Sequence, residues 1–256
     1  MQISYNFALV GVSFAIAVSG SFMALISTRN ALRRDSGDRR GLVFLASLCL
    51  GAVAIWSMHF IGMLACSLHG AEVDFLSHGA LVNYDWVLTV LSFMVGVGVV
   101  YIGVSIMCSG KFNFSRLLMS GTFVGLGVAA MHYTGMLAMH VQADVVWNWT
   151  IIAASVGIAV VAANVALWLA IHVKRIWHIV VSAIVMGVAV CGMHYTGMAA
   201  AEFTYNANLP LVASMSGSSS ILVFCIMTID LGVILIAALI AISESNKQQE
   251  LEATMK

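Results

Sequence analysis

Long apolar runs alternate with short polar connections along the whole chain. Seven runs are long enough for a helix of about 20 residues, the length that crosses ~30 Å of hydrocarbon. They are Phe7–Ser27, Leu42–Cys66, Trp86–Cys108, Leu117–Met139, Thr150–Ala170, Ile176–Ala201 and Ser219–Ile242. A membrane β-barrel would instead show segments of about ten residues with alternating polarity. The pattern therefore predicts an all-α, seven-transmembrane helical bundle whose first run is a retained helix and not a signal peptide.

The composition of the 256-residue chain agrees with a membrane protein. It is 61% hydrophobic and 9% charged, with a formal net charge of zero, whereas a soluble domain carries about a quarter charged residues. A nucleic-acid-binding protein would need a basic stripe, and a disordered chain would need low hydrophobicity. Both classes are excluded, and the lipid bilayer is the first expected partner.

Charged residues in the connections predict the orientation of the bundle. The basic residues all fall on one side of the seven runs: Arg29, Arg33, Arg34, Arg39, Arg40, Lys111, Arg116, Lys174, Arg175, Lys247 and Lys256. The other side holds only acidic residues, namely Glu72, Asp74, Asp85, Asp144 and Glu202. The positive-inside rule then places the N-terminus outside and the C-terminus in the cytoplasm. Residues 1–243 form the predicted membrane domain, and 244–256 a cytoplasmic tail or the start of a linker to an absent effector domain.

An octapeptide occurs three times, once on every second helix. Its copies are Met58–Ala65, Met131–Ala138 and Met193–Ala200, with the pattern M-H-[FY]-x-G-M-[LA]-A. Helices two, four and six run in the same direction, and each histidine comes late in its helix. We therefore expect all three motifs at one depth in the outer leaflet, related by a pseudo-threefold, parallel repeat about the membrane normal.

Helical spacing indicates which side chains of the motifs can converge. A histidine and the methionine four residues later share one face, and small residues on that face allow helices to approach closely in lipid. The small residues are Ala52, Gly125 and Gly187, seven positions before each histidine, and Gly62, Gly135 and Gly197, three positions after it. We expect the three faces to meet in a cluster of imidazoles and thioethers. Cys66, Met139 and Cys191 extend the same faces as secondary ligand candidates.

Imidazole, thioether and thiol groups together form a soft donor set that favours copper, especially Cu(I), over Mg²⁺ or Ca²⁺. The competing interpretation is structural, because methionine fills gaps in helix packing and histidine can make interhelical hydrogen bonds. Asp230 lies near the middle of the seventh run, where a carboxylate needs a partner. We expect it to have a structural or signal-coupling role, with Asn164 as one candidate partner.

The three motifs resemble the MHYT domain, a bacterial membrane sensor module named after Met-His-Tyr-Thr, over essentially the whole chain. The resemblance implies a multi-pass sensor of the bacterial inner membrane that binds copper and responds to O2, CO or NO, or to redox state. It also implies output through a cytoplasmic diguanylate cyclase (GGDEF) or phosphodiesterase (EAL) domain that acts on cyclic di-GMP. The implied metal ligands are His59, Met63, His132, Met136, His194 and Met198. The first copy departs from the family pattern with Phe60 and Ile61 in place of Tyr and Thr.

Other functions remain open on the sequence alone. Three histidines and an aspartate could hold zinc for hydrolysis, and a b-type haem could use two histidines or a histidine and a methionine. A copper transporter would need soft ligands across the whole membrane, but the repeated ligands stop in the outer leaflet. A retinal receptor is excluded because no predicted helix contains a lysine. We expect a sensor domain and not an enzyme, and association as a homodimer stays open.

Overall fold

The protein is an all-α bundle with seven helical spans, as predicted. The computed structural model describes residues 2–34, 36–69, 83–109, 112–141, 143–206, 208 and 218–254. Glu72, Asp74, Lys111 and Lys256 lie outside the described residues. The seven spans, defined by length and apolar composition, are Phe7–Ala31, Arg39–Leu64, Trp86–Cys108, Phe114–Leu137, Trp149–His172, Ile176–Met198 and Ser220–Lys247.

The helices are labelled in chain order. They are α1 (Phe7–Ala31), α2 (Ser36–Ser47), α3 (Met58–Leu64), α4 (Trp86–Cys108), α5 (Phe114–Leu137), α6 (Trp149–His172), α7 (Ile176–Met198) and α8 (Ser218–Thr254). A π-helical segment, Leu48–Ser57, joins α2 to α3 within the second span. Helix α8 continues past the last span without a break in the described residues, so the predicted tail begins as an extension of the seventh helix.

In the part of the chain that the structure describes, three short antiparallel strand pairs lie at one end of the bundle, and the sequence prediction did not include them. The pairs are β1 (Gln2–Tyr5) with β2 (Cys66–His69), β3 (Asn83–Tyr84) with β4 (Met139–His140), and β5 (Ala143–Trp147) with β6 (Ala201–Tyr205). The even spans end two or three residues earlier than predicted, because the chain passes directly from each motif into a strand.

The first six spans are three copies of one strand–helix–helix–strand unit, covering residues 2–69, 83–140 and 143–205. In each unit the helix that follows the first strand is N-capped by a side chain that accepts backbone N–H bonds. The caps are Asn6, Asp85 and Asn148. The backbone N–H of each cap donates to the last alanine of the octapeptide in the same unit, over 2.8 Å to Ala65, 2.8 Å to Ala138 and 2.9 Å to Ala200. The motif therefore ends where it ties the two helices of its unit together.

The three units close into a ring, with the motif ends of their second helices at its centre. Each of the first six spans packs against the next of the six along the chain, and α7 packs against α1. Helix α8 lies outside this ring, against α1 and the π-helical segment of the first unit. As a result, 83% of the second span is buried, compared with 22% of the span in α8. Helix α8, which carries the seventh span, therefore breaks the threefold arrangement at the first unit.

The charged groups at the other end of the bundle connect several helices. Arg39 donates to the backbone carbonyl of Cys108 over 3.0 Å, and Arg34 forms an ion pair with Glu244 of α8. Lys247 lies 3.8 Å from the same carboxylate. The described basic residues thus gather at the end opposite the strands, which is the end that the charge pattern predicts to be cytoplasmic.

The π-helical segment changes the register of the first motif relative to the other two. A Cβ at Gly125 would meet the backbone of Val160, and a Cβ at Gly187 would meet Val18. Both glycines lie seven residues before their histidines, and both face the first helix of the next unit instead of another motif helix. This corrects the expectation that these small residues bring the motif helices together.

In the first unit the equivalent contact is made by Gly51 and not by Ala52. A Cβ at Gly51 would meet the backbone of Gly96 and Val97, and Val97 lies twelve residues after its N-cap, as Val18 and Val160 do. Gly51 is eight residues before His59. A π-helix is wider than an α-helix and accommodates added residues. The segment therefore absorbs one extra residue, which spacing alone could not reveal.

Deletion of Ala52 tests this register. The deletion restores a seven-residue separation between Gly51 and His59, so the segment can become α-helical without moving either contact. We expect a folded protein whose thermal unfolding temperature in detergent stays close to that of the wild type. Deletion of Leu126 from α5 is the matched control, because it rotates His132 by about 100° away from the cluster and should prevent folding. Equal damage from both deletions would contradict the extra-residue interpretation.

Candidate metal centre

The three motif histidines meet at the axis of the ring. His59, His132 and His194 are each 1% exposed. The Nδ1 atom of His59 lies 3.0 Å from Nδ1 of His132 and 3.1 Å from Nδ1 of His194. One ligand nitrogen from each ring lies within 4.8 Å of the others. Among the described residues this is the only group of three or more His, Cys, Asp or Glu side chains with metal-binding proximity.

Each imidazole lies against the motif glycine of the next unit, in the space that a larger side chain at that glycine would need. A Cβ on the motif glycine would overlap the Nε2 side of the neighbouring ring. The pairs are Gly62 with His194, Gly135 with His59 and Gly197 with His132. The contact passes from unit to unit in a closed cycle, so the glycines allow the three rings to reach the axis.

The polar atoms of the cluster leave a need that a cation can meet. A neutral imidazole nitrogen offers either one proton or one lone pair in its ring plane, so Nδ1 of His59 cannot form good hydrogen bonds with both neighbours. The three Nε2 atoms lie against the motif glycines of the neighbouring units, away from the shared Nδ1 positions, and have no hydrogen-bond partner among the described residues. The need that a shared cation can meet is therefore that of the Nδ1 atoms. Two nitrogen ligands of one tetrahedral or trigonal metal ion lie about 3.3–3.5 Å apart, close to the separations seen here. The donor set therefore fits one metal ion held by three Nδ1 atoms.

Comparison with known proteins places this arrangement in a family. A family model named MHYT, described as a bacterial signalling protein N-terminal repeat, matches residues 53–120 and 125–183. The protein MucR of Pseudomonas aeruginosa, a bifunctional diguanylate cyclase/cyclic di-GMP phosphodiesterase, is 35% identical over 94% of this chain. The chain belongs to the MHYT family. With its seven spans, it is a multi-pass protein of the bacterial inner membrane and consists mostly of a sensor domain.

Two further relatives extend the comparison. NbdA of Pseudomonas aeruginosa, a cyclic di-GMP phosphodiesterase, is 31% identical over 84% of this chain, and the signalling protein YkoW of Bacillus subtilis is 29% identical over 79%. The chain spans only 34%, 27% and 25% of the lengths of MucR, NbdA and YkoW. No solved structure matches the chain.

The MHYT methionines lie next to the imidazole layer. Met63, Met136 and Met198 follow their histidines by one turn and are 3%, 4% and 1% exposed. Met131 and Met193, which directly precede two of the histidines, line a cavity that the three rings also border. The geometry thus assembles the imidazoles, whereas ligation by the sulfurs of the motif remains a prediction.

The secondary ligand candidates do not share the environment that helical spacing predicted. Cys66 and Met139 lie in β2 and β4, because α3 ends at Leu64 and α5 ends at Leu137. The i+7 argument for these two residues is therefore wrong. Burial raises the pKa of the Cys66 thiol to about 11. Cys191 remains on α7, where it lies beside Ser13 of α1.

Buried serines connect each MHYT motif to the next unit, and the sequence analysis missed them. The Tyr133 hydroxyl lies 2.6 Å from Oγ of Ser155, and the Tyr195 hydroxyl lies 3.0 Å from Oγ of Ser13. In the first motif, which has Phe60, the indole N–H of Trp56 donates instead to Oγ of Ser92 over 3.1 Å. Each serine stands seven residues after its N-cap and is fully buried. Alignment of the odd-numbered spans could have detected them.

Aromatic residues repeat the same cyclic relation at the strand end. Each residue just before an N-cap packs on the motif aromatic of the preceding unit. The ring centroids are 5.6 Å apart for Tyr5 and Tyr195, 5.4 Å for Tyr84 and Phe60, and 5.8 Å for Trp147 and Tyr133. The Phe60 departure therefore preserves the packing of the ring and loses only its hydroxyl.

Asp230 connects α8 to the first motif. Its Oδ1 accepts a hydrogen bond from Oγ of Ser57 over 2.7 Å. Ser57 precedes His59 by two residues. The aspartate is 7% exposed. Asn164 is not its partner, because the Asn164 amide lies against Gly121 and donates to the Val160 carbonyl over 2.8 Å. The expected partnership with Asn164 is therefore wrong.

The substitution Gly135→Ala tests the packing of the imidazole cluster. The new methyl group overlaps the His59 ring, and overpacking of this kind costs about 1–3 kcal/mol. We expect a lower thermal unfolding temperature for the variant in detergent. The control is Gly98→Ala in α4, where an added Cβ meets no atom within 4 Å. If Gly135→Ala unfolded at the same temperature as this control, the close contact between ring and glycine would be refuted.

Proposed function

We propose that this chain is a copper-binding membrane sensor domain whose metal site is formed by His59, His132 and His194. The observation that carries the proposal is the convergence of three buried Nδ1 atoms with separations of 3.0 and 3.1 Å for two of the pairs. Copper is favoured because a thioether group follows each of the three imidazoles by one helical turn, and thioethers are soft ligands that suit copper better than hard cations.

The surrounding residues prepare the site for a metal and a small ligand. The imidazoles supply three nitrogens, while the buried motif methionines on one side and apolar side chains on the other exclude water. When bound, copper would supply a redox-active centre that can take O2, CO or NO. A change at the centre is transmitted only if it favours one arrangement of the three motif helices over another.

The route to a cytoplasmic output runs through the first unit. Ser57 precedes His59 by two residues and is hydrogen-bonded to Asp230 of α8. Helix α8 has 37 residues, a length of about 56 Å at 1.5 Å per residue, and Arg34 holds it again at Glu244. A displacement of His59 can therefore move α8 as a rigid rod.

We further propose that the output is cyclic di-GMP turnover by effector domains of the GGDEF or EAL type. The support comes from the activities named for MucR and NbdA, of whose lengths this chain spans 34% and 27%. In this proposal the chain itself senses and does not catalyse. The diatomic gas ligand and self-association as a homodimer belong to the same proposal.

A zinc-dependent hydrolase is the alternative, because three histidines are also a catalytic zinc ligand set. Such an enzyme needs water at the metal and a general base. Among the described residues no carboxylate belongs to the histidine cluster, and Asp230 is engaged with Ser57. These observations favour a sensor over a hydrolase.

Metal analysis of the purified protein tests the copper site. We expect stoichiometric copper in the wild type and none in the double variant His132→Ala/His194→Ala, because a single imidazole is left. The control is His172→Ala/His178→Ala, which changes two histidines at the opposite end of the bundle and should retain copper. Stoichiometric copper in the motif variant would refute the site, and zinc in place of copper in the wild type would support the alternative.

Substitution of Asp230 tests the coupling of the site to α8. Asp230→Asn keeps an oxygen that can accept the Ser57 hydrogen bond, whereas Asp230→Leu removes it. Spin labels at Lys174→Cys and Lys247→Cys, in a background with the native cysteines replaced, report the position of α8. We expect copper to change the label distance by about 1–2 Å, the scale of helix shifts in switching proteins, in the wild type and in Asp230→Asn.

The change should be absent in Asp230→Leu, although that variant still binds copper. A label distance that responds to copper equally in both variants would show that the hydrogen bond to Ser57 does not couple the site to α8.

A further inference from the structure

An apolar cavity of about 50 Å³ lies directly beside the three imidazoles. Its wall includes the residues that precede each histidine by four positions, namely Ile55, Val128 and Val190. The cavity therefore sits one turn from the rings, on the side away from the strand pairs and from Met63, Met136 and Met198. Apart from the three histidines, all of its lining residues are apolar.

The third unit forms the only wall in which several lining residues are partly exposed. Ala162, Ala166, Ala189 and Val190 line the cavity and are partly exposed. Ala162 and Ala166 belong to α6, and Ala189 and Val190 belong to α7. These four residues lie within the spans, and Val161 and Val188, which precede Ala162 and Ala189, are strongly exposed and face lipid.

Comparison of the units explains why the opening is found here. In the first unit the position of Ala162 is taken by Gly20, which packs directly on the backbone of Ala54. In the second unit Val99 fills the space over Gly127. The third unit has alanine at both positions, Ala162 and Ala189. It therefore has neither the backbone contact of the first unit nor the branched side chain that closes the second.

We propose that this cavity binds a small, uncharged, apolar molecule that enters sideways from the bilayer between α6 and α7. A polar solute or water would need two to four polar partners, and the wall offers only imidazole nitrogens. Apolar cavities of this kind stay dry and take up small apolar guests such as xenon. The inference rests on the proposed function, for which it names the class of ligand and the route by which the ligand arrives.

Entry from the strand end is closed in the structure. Met63, Met136 and Met198 are buried one turn beyond the rings, and the motif glycines are in contact with the imidazoles. The final motif alanines are fully buried beneath the strand pairs. A ligand from the aqueous phase at the strand end would have to displace this layer, whereas a ligand dissolved in lipid meets Ala162, Ala166, Ala189 and Val190 at the partly exposed wall of the cavity.

Xenon binding to the metal-free protein in lipid nanodiscs tests the cavity. Xenon-129 NMR should show one saturable site, and xenon should shift the ring signals of nitrogen-15-labelled histidine. The variants Ala162→Phe and Ala189→Phe each place a benzyl group in the opening from opposite walls, and each should lose the saturable signal. The matched controls are Val161→Phe and Val188→Phe, which alter neighbouring positions that are 65% and 58% exposed and do not line the cavity. Both controls should bind xenon as the wild type does.

Three results would overturn the inference: no saturable xenon site in the wild type, retention of the site in both alanine variants, or its equal loss in the valine controls. Because the protein is free of metal, the outcome is independent of copper. A chain that binds copper but no xenon loses this inference and keeps the proposed function. A chain that binds xenon but no copper loses the proposed metal site, while the cavity and its route stand.

Discussion

The close approach of the three motif helices is the constraint on which the rest of the structure depends. Each approach is possible because the imidazole of one unit occupies the space beside the motif glycine of the next. The relation is cyclic, so a change in one contact is transmitted to the other two. The same cycle recurs in the serine bonds and in the aromatic pairs at the strand end. Together these layers fix the height and rotation of every motif helix, and the cluster forms as their consequence.

Much of this arrangement could be predicted because it is written as a repeat. The seven spans follow from hydropathy, and the three histidines follow from the octapeptide. The direction of the cycle could not be predicted, because whether His194 packs on Gly62 or on Gly135 depends on the order of helices around the ring. The strand pairs are too short to show a periodic pattern. Spacing aligns Ala52 with Gly125, but the structure aligns Gly51 with it. The difference arises because a π-helix has more residues per turn than an α-helix, and no residue type in the sequence marks this change.

The departures from threefold symmetry are concentrated in the first unit. It alone combines Phe60, the π-helical segment, an indole in place of a phenol as serine partner, and a contact with α8. These features are physically connected. The wider π-helical turn carries Trp56 and Ser57, which hydrogen-bond to α4 and α8, and α8 buries the face that the other units leave to lipid. The first motif looks in the sequence like a degenerate copy. It belongs to the unit that is adapted to hold α8.

The third unit departs from symmetry in the opposite way, by leaving a gap between α6 and α7. The opening and the α8 contact therefore lie on different units, and the histidine cluster joins them. His194 belongs to the open unit, and its ring touches both His59 and Gly62 of the first unit. Two residues before His59, Ser57 is bonded to Asp230. In the proposed function this short chain of contacts links the ligand cavity to α8, and it needs no displacement of the second unit. A symmetric repeat could bind a metal equally well, but all three of its units would respond alike. In the proposed function the asymmetry of the first and third units therefore gives the signal its direction, from the cavity to α8.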